Sequence, residues 1–589
     1  MPEKIIIVGD GQPGGKGSGL LKLQQRLDDI LNDISSPHSK DKIEIPQTII
    51  ITTSAFREFV EHNKLETLIE RIENTAHHDI ESEKLANSFL TGEFTENLKN
   101  ILLKTLDEFE TPVIVRSSSL LEDQKGAAFA GKYQSIFLAN QGEKKTRQEE
   151  FLSAIKKVYS STYNPDAIAY RHKHGFADSK EEMALVIQAV VGNRYGDYYL
   201  PAMAGVGFSQ NGYCWNKEIK KSDGLVRLVF GLGTSAVGRG YVRLFSPAKP
   251  LMRPEGTDVD SIQKCSQKKV DVIDLKNNSL KTVHFRELIP DGLNCYKGSQ
   301  PMISLRDGAH IYRPVSNIWD KSFIPVLNMD GVLTSQWMKI NIPKTLGYLL
   351  LELEKRLGFA IDMEFAINFD NEKEMAVLYI LQVRPLSERE GFKVKKIPDI
   401  KDEDIIFSVQ RNLPTYHIPD IEFLIYVDDV IYHQWPHNEK QSVARAVGKL
   451  NNILREKRFA LIGPGRWGSW NPELGVPVSY AEISHTLLLV EVARRKATYI
   501  PEVSFGSHFF QDLIEDNIAY LPVYPDEPGV LFHEDILKKK SKFRELLPDE
   551  YFRQFDELIK VLHIPSIRSK KSATAISNGE LERAIVYLE

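Results

Sequence analysis

The chain has 589 residues, 42% of them hydrophobic and 26% charged, with a formal net charge of −5. That length exceeds what one hydrophobic core supports and predicts about three or four structural units, and the composition excludes a disordered or fibrous chain. Interspersed acids and bases leave no field to attract nucleic acid or an anionic membrane, no apolar run is long enough to span a bilayer, and the N-terminus lacks a signal core. Three scattered cysteines, Cys214, Cys265 and Cys295, suggest neither a disulfide framework nor a zinc site, so a cytoplasmic protein is expected.

Lys4 to Val8 reads as a short buried strand, followed by the Gly-rich turn GDGQPGGKGSGL at residues 9–20. Leu20, Leu23, Leu27, Ile30 and Ile34 then recur at helical spacing. The turn formally contains GxGxxG, yet Asp28 and Asp29 fall inside the helix rather than at the end of a second strand, where a dinucleotide site needs its acid. A Walker A loop fails as well, with Asp10 and Gly17 at required Gly and Ser/Thr positions. What remains is Lys16 in a Gly loop at a helix N-terminus, either an anion site or a structural turn.

Pro46 to Thr52 predicts a second strand, and Ser54 a helix cap before AFREFVEHN. Thr111 to Asn140, TPVIVRSSSLLEDQKGAAFAGKYQSIFLAN, runs from a buried strand into Arg116, three serines, an acidic pair and a small-residue loop, a layout suited to a polyphosphate. Arg116 emerges at the strand end, where its planar fork can take two phosphate oxygens or pair with Glu122 or Asp123. Further strands are expected at Met183 to Ala189, ending near Gln188, and at Leu225 to Phe230, which leads into GLGTSAVGRG. Residues from about 245 to 345 are irregular and read as an inserted subdomain.

Phe359 to Ile367 and Val377 to Val383 form a predicted hairpin around the turn FDNEKE. Alternation places Asp362 and Glu364 on one face with Gln382 and Arg384, and Met363, Phe365, Leu381 and Val383 on the other. The polar face can hold Mg²⁺ ions and neutralise phosphate charge, or form a Glu364–Arg384 cross-strand salt bridge. The charged, proline-containing KVKKIPDIKDEDI marks a boundary near residue 395.

Beyond it, residues 396–589 read as a second, smaller α/β unit. Its GPGRWG turn presents Arg466 and Trp467 at a cleft or packs the tryptophan rigidly. His485 in ISHT precedes an apolar helix-like run and reads as a core or capping histidine. His508, between Ser507 and Phe509, is the better candidate for a phosphoryl acceptor or acid/base group. The KKKSK run from Lys538 reads as a solvated helix face.

Four of these motifs, in this order, resemble the nucleotide-binding domain shared by phosphoenolpyruvate synthase, pyruvate phosphate dikinase and rifampicin phosphotransferase, in the ATP-grasp superfamily. GGKGSGL is similar to its GGKxxxL opening, RSSSLLED to FAGKYQS to its phosphate-binding stretch, and DMEFAI with YILQVRP to its D-I-E-F and L-Q-x-R-P elements. The resemblance covers about residues 1–395 and implies an α/β (α+β) ATP-grasp-type fold that binds ATP and Mg²⁺. It implies nucleotide contacts from Lys16, Arg116, Gly131, Ser135, Gln188, Glu364, Gln382 and Arg384, and metal contacts from Asp362, Glu364 and Gln382. Phe129, Ala130 and Gly131 match its phosphate-closing loop.

Departures narrow the expectation. Thr234 stands where relatives usually carry Glu, and neither the T-S-H segment of the phosphohistidine domain nor the phosphoenolpyruvate barrel is found. The expected activity is phosphoryl transfer from Mg·ATP to an unidentified acceptor, with Arg116, Arg384 and His508 as catalytic candidates. A catalytically silent ATP sensor, or one subunit of a split dikinase partnered by a separate phosphohistidine-domain protein, are the alternatives.

Overall fold

The computed structural model describes residues 5–31, 42–73, 79–122, 132–164, 167–168, 170–171, 176, 180–211, 218–237, 242–254, 257–290, 292–293, 296, 298–318, 320–370, 375–386, 397–410, 415–469, 472–479, 482–494, 503–504, 513, 518–567, 571–578, 581 and 583–589. Gly131, His508 and Ile34 lie outside the described residues.

Short β-branched runs build the first sheet. Its five strands lie in the order Ile5–Val8, Thr48–Ile51, Met183–Ala189, Val113–Ser119, Ser135–Leu138. The first pair is parallel and the rest antiparallel. Helix Gly14–Leu31 follows the first strand and buries Leu20, Leu23, Leu27 and Ile30, the predicted stripe. The next helix spans Thr53–His62, with Thr52 rather than Ser54 at its N-cap. The Thr52 hydroxyl does not cap that helix; it accepts the Gly11 N–H at 3.1 Å and so ties the Gly-rich turn to the second strand.

The second sheet has six strands, ordered Arg243–Phe245, Leu225–Val229, Met203–Phe208, Ile361–Asp370, Met375–Pro385, Lys42–Glu44. The predicted hairpin is its centre, with Asp362 opposite Arg384 and Glu364 opposite Gln382. A register shift after Glu364 pairs Phe365 with Ile380 and leaves Leu381 as the extra residue, a β-bulge. Helix Gly14–Leu31 packs on Met375–Pro385 and also on Val113–Ser119 and Met183–Ala189, and so joins the two sheets.

The irregular stretch from 245 to 345 does not keep a core of its own. Lys269–Asp274 and Ser279–His284 form one sheet with Tyr198–Leu200 and Asn193–Tyr195. Val270, Val272, Met302 and Trp337 bury in the same cluster as Leu20, Leu23 and Met363. Past residue 400, Phe423–Val427, Phe459–Pro464, Leu488–Val492 and Ala519–Val523 run parallel, with Ile559–His563 added antiparallel at one edge. A second, antiparallel sheet packs against it through Ile406, Leu424, Ile462 and Ala575, among others. The run after His485 is therefore a strand, Leu488–Val492, rather than a helix. All five residues are buried and four of them are aliphatic, Glu491 being the exception, as suits a strand inside a parallel sheet. Among the described residues, no helix is long and apolar enough to cross a membrane.

Candidate active site

The end of strand Val113–Ser119 and the start of helix Gly14–Leu31 are stitched together by the serines. Ser118 Oγ accepts the Gly17 N–H at 2.9 Å and donates to the Pro13 carbonyl at 2.8 Å. Ser119 Oγ accepts the Glu122 N–H at 3.1 Å, while Glu122 Oε2 accepts the Ser119 N–H at 3.0 Å. This reciprocal pair is a capping-box arrangement placed at a strand end. Ser117 donates to Glu122 Oε1 at 3.1 Å. All three serines are fully buried, so they build the seat of the helix. Gly14 is obligatory in that seat, because it has φ +70° and a Cβ there would sit 1.7 Å from the Ser118 carbonyl oxygen.

Lys16 projects from the first turn of this helix and is held by Glu122, with Ser117 Oγ accepting at 3.2 Å. Arg116 Nη2 reaches across to the second sheet, donating to Glu364 Oε2 and Gln382 Oε1, each at 2.7 Å. Arg384 Nε and Nη2 both donate to Asp362 Oδ2, at 2.9 and 2.8 Å. Three cations therefore sit with three carboxylates where the sheets meet. The pairings differ from both local alternatives, Arg116 with Glu122 and Glu364 with Arg384.

These residues border one cavity of about 300 Å³ between the two sheets. Lys16, Arg116, Glu122, Ser135, Gln188, Glu364, Gln382 and Arg384 all line it; Asp362 does not. Ser135 lies opposite Arg116 in register on the edge strand. Gln188 lines the cavity while its amide donates to Thr48 Oγ1 at 3.1 Å. The remaining wall is largely apolar, with Ile114, Phe137, Val190, Leu232 and Ala366. Leu381 joins this wall, whereas strict alternation assigns it to the opposite face; the bulge turns it over. A cleft with an apolar wall and clustered guanidinium and ammonium groups suits a molecule carrying both a flat ring and phosphates.

Sequence spacing did not single out the layer behind the cavity. Tyr133 lines the cavity and donates to Glu181 Oε2 at 2.7 Å, and Glu181 Oε1 accepts the Leu120 N–H at 3.1 Å. Burial pushes the Glu181 carboxyl up to about 7 and raises the Tyr133 phenol as well. Thr234 and Ser235 both donate to Asp271 Oδ2 at 2.7 Å, anchoring the GLGTSAVGRG loop to the neighbouring sheet. The [ST]-x-x-[DE] pattern at Ser119 to Glu122 is the sequence signal of the clasp next to this layer.

In the C-terminal unit Trp467 and Arg466 are fully buried, which settles the GPGRWG turn as packing rather than a presented pair. The turn is held through Glu491, which accepts the Trp467 and Ser504 N–H groups at 2.9 and 2.7 Å and the Tyr520 hydroxyl at 2.6 Å. His485 is exposed, with its N–H donating to Asn451 Oδ1 at 3.0 Å, so it is not a core histidine. Lys538 follows the short helix Glu534–Leu537 and pairs with Asp428 at 2.8 Å and Glu534 at 3.2 Å, so the KKKSK run begins with a cross-linked rather than a solvated charge.

The model of the pyruvate phosphate dikinase AMP/ATP-binding domain matches residues 12–405. The chain is 25% identical over 377 residues to a probable phosphoenolpyruvate synthase of Methanocaldococcus jannaschii, covering 62% of this chain and 25% of that protein. It is 28% identical over 228 residues to a phosphotransferase of Bacillus subtilis, covering 38% and 22%. With the rifampicin phosphotransferase of Bacillus cereus the identity is 26% over 203 residues, 33% of this chain and 21% of the relative. The matched region thus spans a quarter or less of each of these relatives.

Proposed function

The chain belongs to the family of the pyruvate phosphate dikinase AMP/ATP-binding domain, and from that premise we propose that it is an ATP-dependent phosphotransferase acting from Mg·ATP on an acceptor held by residues 396–589. The observation that carries this reading is the convergence of Lys16, Arg116 and Arg384 on one cavity whose remaining wall is largely apolar. The apolar wall takes the base, and the three cations meet the phosphates. Phosphoryl transfer asks little covalent chemistry of a protein, so positioning and charge neutralisation supply most of the catalysis.

Glu364 and Gln382 offer only oxygen donors, and both bond the same Arg116 Nη2, so they converge and fit a hard divalent ion. They would hold Mg²⁺, which screens phosphate charge when bound. Arg116 aligns those two donors and meets the transferred group, Ser135 offers a hydroxyl at the cavity edge, and Gln188 lies beside the base. Gly131, in the loop that resembles the family's phosphate-closing segment, and His508, as acceptor, complete the proposal from sequence. A reducing cytoplasmic location, and division near residue 395 into a nucleotide unit and an acceptor unit, belong to the same reading.

The test is incubation of the full chain with β- and γ-labelled ATP and a cell extract, with products resolved. A labelled small molecule with ADP marks a simple kinase; AMP with label retained on the protein and lost in His508→Asn marks a relay. No nucleotide consumption with any extract refutes phosphotransfer and leaves an ATP sensor.

A further inference from the structure

We infer that Asp362 is a positioning residue for Arg384, aiming its guanidinium at the phosphates, rather than a ligand of the metal ion. The inference rests on the cavity being the nucleotide site. Asp362 and Arg384 are directly opposed across two central strands of the second sheet. Two N–H groups from one edge of the guanidinium, Nε and Nη2, converge on Asp362 Oδ2. The side chains are 1% and 6% exposed, and only the arginine borders the cavity. Its Asp362-bonded edge is thereby fixed by the sheet.

Glu364, two residues on, differs on each count: it lines the cavity, keeps 19% side-chain exposure, and bonds Arg116 from the other sheet. Both Arg384 bonds go to Asp362 Oδ2, Oδ1 is buried, and Asp362 does not line the cavity; to ligate a cavity metal the side chain would have to turn toward the cavity and loosen its hold on a buried guanidinium, which burial makes unfavourable. Asp362 also faces Phe208 on its other side in register, so it has a strand on each flank. A carboxylate so enclosed suits a fixed counter-charge better than a ligand that must share its ion with water and phosphate.

The experiment uses the full chain and calorimetric titration with ATP and with adenosine, at saturating Mg²⁺ and in EDTA, together with a Mg²⁺ titration at fixed ATP. Asp362→Asn is expected to weaken ATP about tenfold in both conditions, the scale of one misaligned charge-assisted contact. Adenosine affinity and the Mg²⁺ half-saturation point should stay at parent values. In an Arg384→Met background the same substitution should add less than a twofold change, because its effect passes through the arginine. Should Asp362→Asn fail to fold, the apolar pair Asp362→Leu/Arg384→Met replaces it and should bind ATP as Arg384→Met does.

A loss confined to Mg·ATP, with a shifted Mg²⁺ half-saturation, would make Asp362 a metal ligand and overturn the inference. Equal losses for ATP and adenosine, or a full effect in the Arg384→Met background, overturn it as well. If Arg384→Met itself binds ATP as tightly as the parent, the cavity assignment fails first, and that outcome is separate from the others.

Discussion

Replacing Arg116 tests both the architecture and the site, because one Nη2 atom joins the two sheets. In Arg116→Met the methionine fills most of the arginine's volume but leaves Glu364 and Gln382 without their shared donor. Stranding one member of a fully buried pair costs about 3–5 kcal/mol, and an exposed pair contributes about 0.2–1 kcal/mol. Glu364 retains 19% side-chain exposure, so water solvates it in part and a loss of about 2 kcal/mol is expected. Urea denaturation of the full chain reads this as an earlier first transition. Adding Glu364→Gln removes the stranded charge and should recover part of the loss, whereas additive effects would show that the two side chains do not share an interaction. ATP affinity should fall about 10- to 100-fold through the missing phosphate contact, since a hydrogen bond to a charged group contributes about 1.5–3 kcal/mol. Arg116 lies in the middle of strand Val113–Ser119, between Ser135 and Val186 in register, rather than at the strand end its sequence suggests; ATP binding within twofold of the parent, in a folded Arg116→Met protein, would refute the placement of phosphate beside it.

Gly14→Ala drives a Cβ into the Ser118 carbonyl at φ +70°, so its destabilisation should exceed the roughly 1–2 kcal/mol of a left-handed alanine alone, and an unchanged denaturation midpoint would contradict the seat described for helix Gly14–Leu31. Thr234→Glu exchanges a donor to Asp271 for a second carboxylate and should cost about 2 kcal/mol; Asp271→Asn in that background should restore part of the midpoint, and no recovery would separate the loop from Asp271. Burial holds the Glu181 carboxyl at about 7 against 4.5 for an ordinary one, so the folded protein binds that proton more tightly than the unfolded chain. Its stability relative to Glu181→Gln should therefore decline by at most about 3 kcal/mol between pH 4.5 and 7 and stay level above. A pH-independent difference would show that Glu181 ionises normally.

Much of the site was legible because strand and helix periods are short and strict. A period of two placed Asp362, Glu364, Gln382 and Arg384 on one face of a hairpin, and the register bears this out. A period near 3.6 placed Leu20, Leu23, Leu27 and Ile30 in the core. The same rules failed where one residue breaks the period or a tertiary partner outbids a local one. The bulge moved Leu381 onto the cavity wall. The Gly11 amide took the Thr52 hydroxyl, which therefore makes no cap bond. The short apolar run after His485 fits a helix or a strand equally by periodicity, and its place between two parallel strands decided for the strand.

The choice of ion-pair partners was the least legible part, and the reason is physical. At similar separations any of these cations attracts any of these carboxylates with similar Coulomb energy, so charge alone does not choose among the pairings. Backbone geometry chooses. Glu122 is pinned by the Ser119 N–H and by Ser117, so its carboxylate faces the helix that carries Lys16 rather than Arg116 on the strand just before it. Arg116, with Glu122 held by Lys16 and Asp123 outside the described residues, extends to the second sheet, where Glu364 and Gln382 meet it. With Glu364 taken, Arg384 pairs with Asp362 directly opposite. One i,i+3 clasp at a strand end thus fixes all three pairs in turn. Glu122→Gln should accordingly perturb Lys16 first and weaken ATP while sparing adenosine, and equal losses for the two ligands would show that the clasp supports the fold rather than the phosphate contacts.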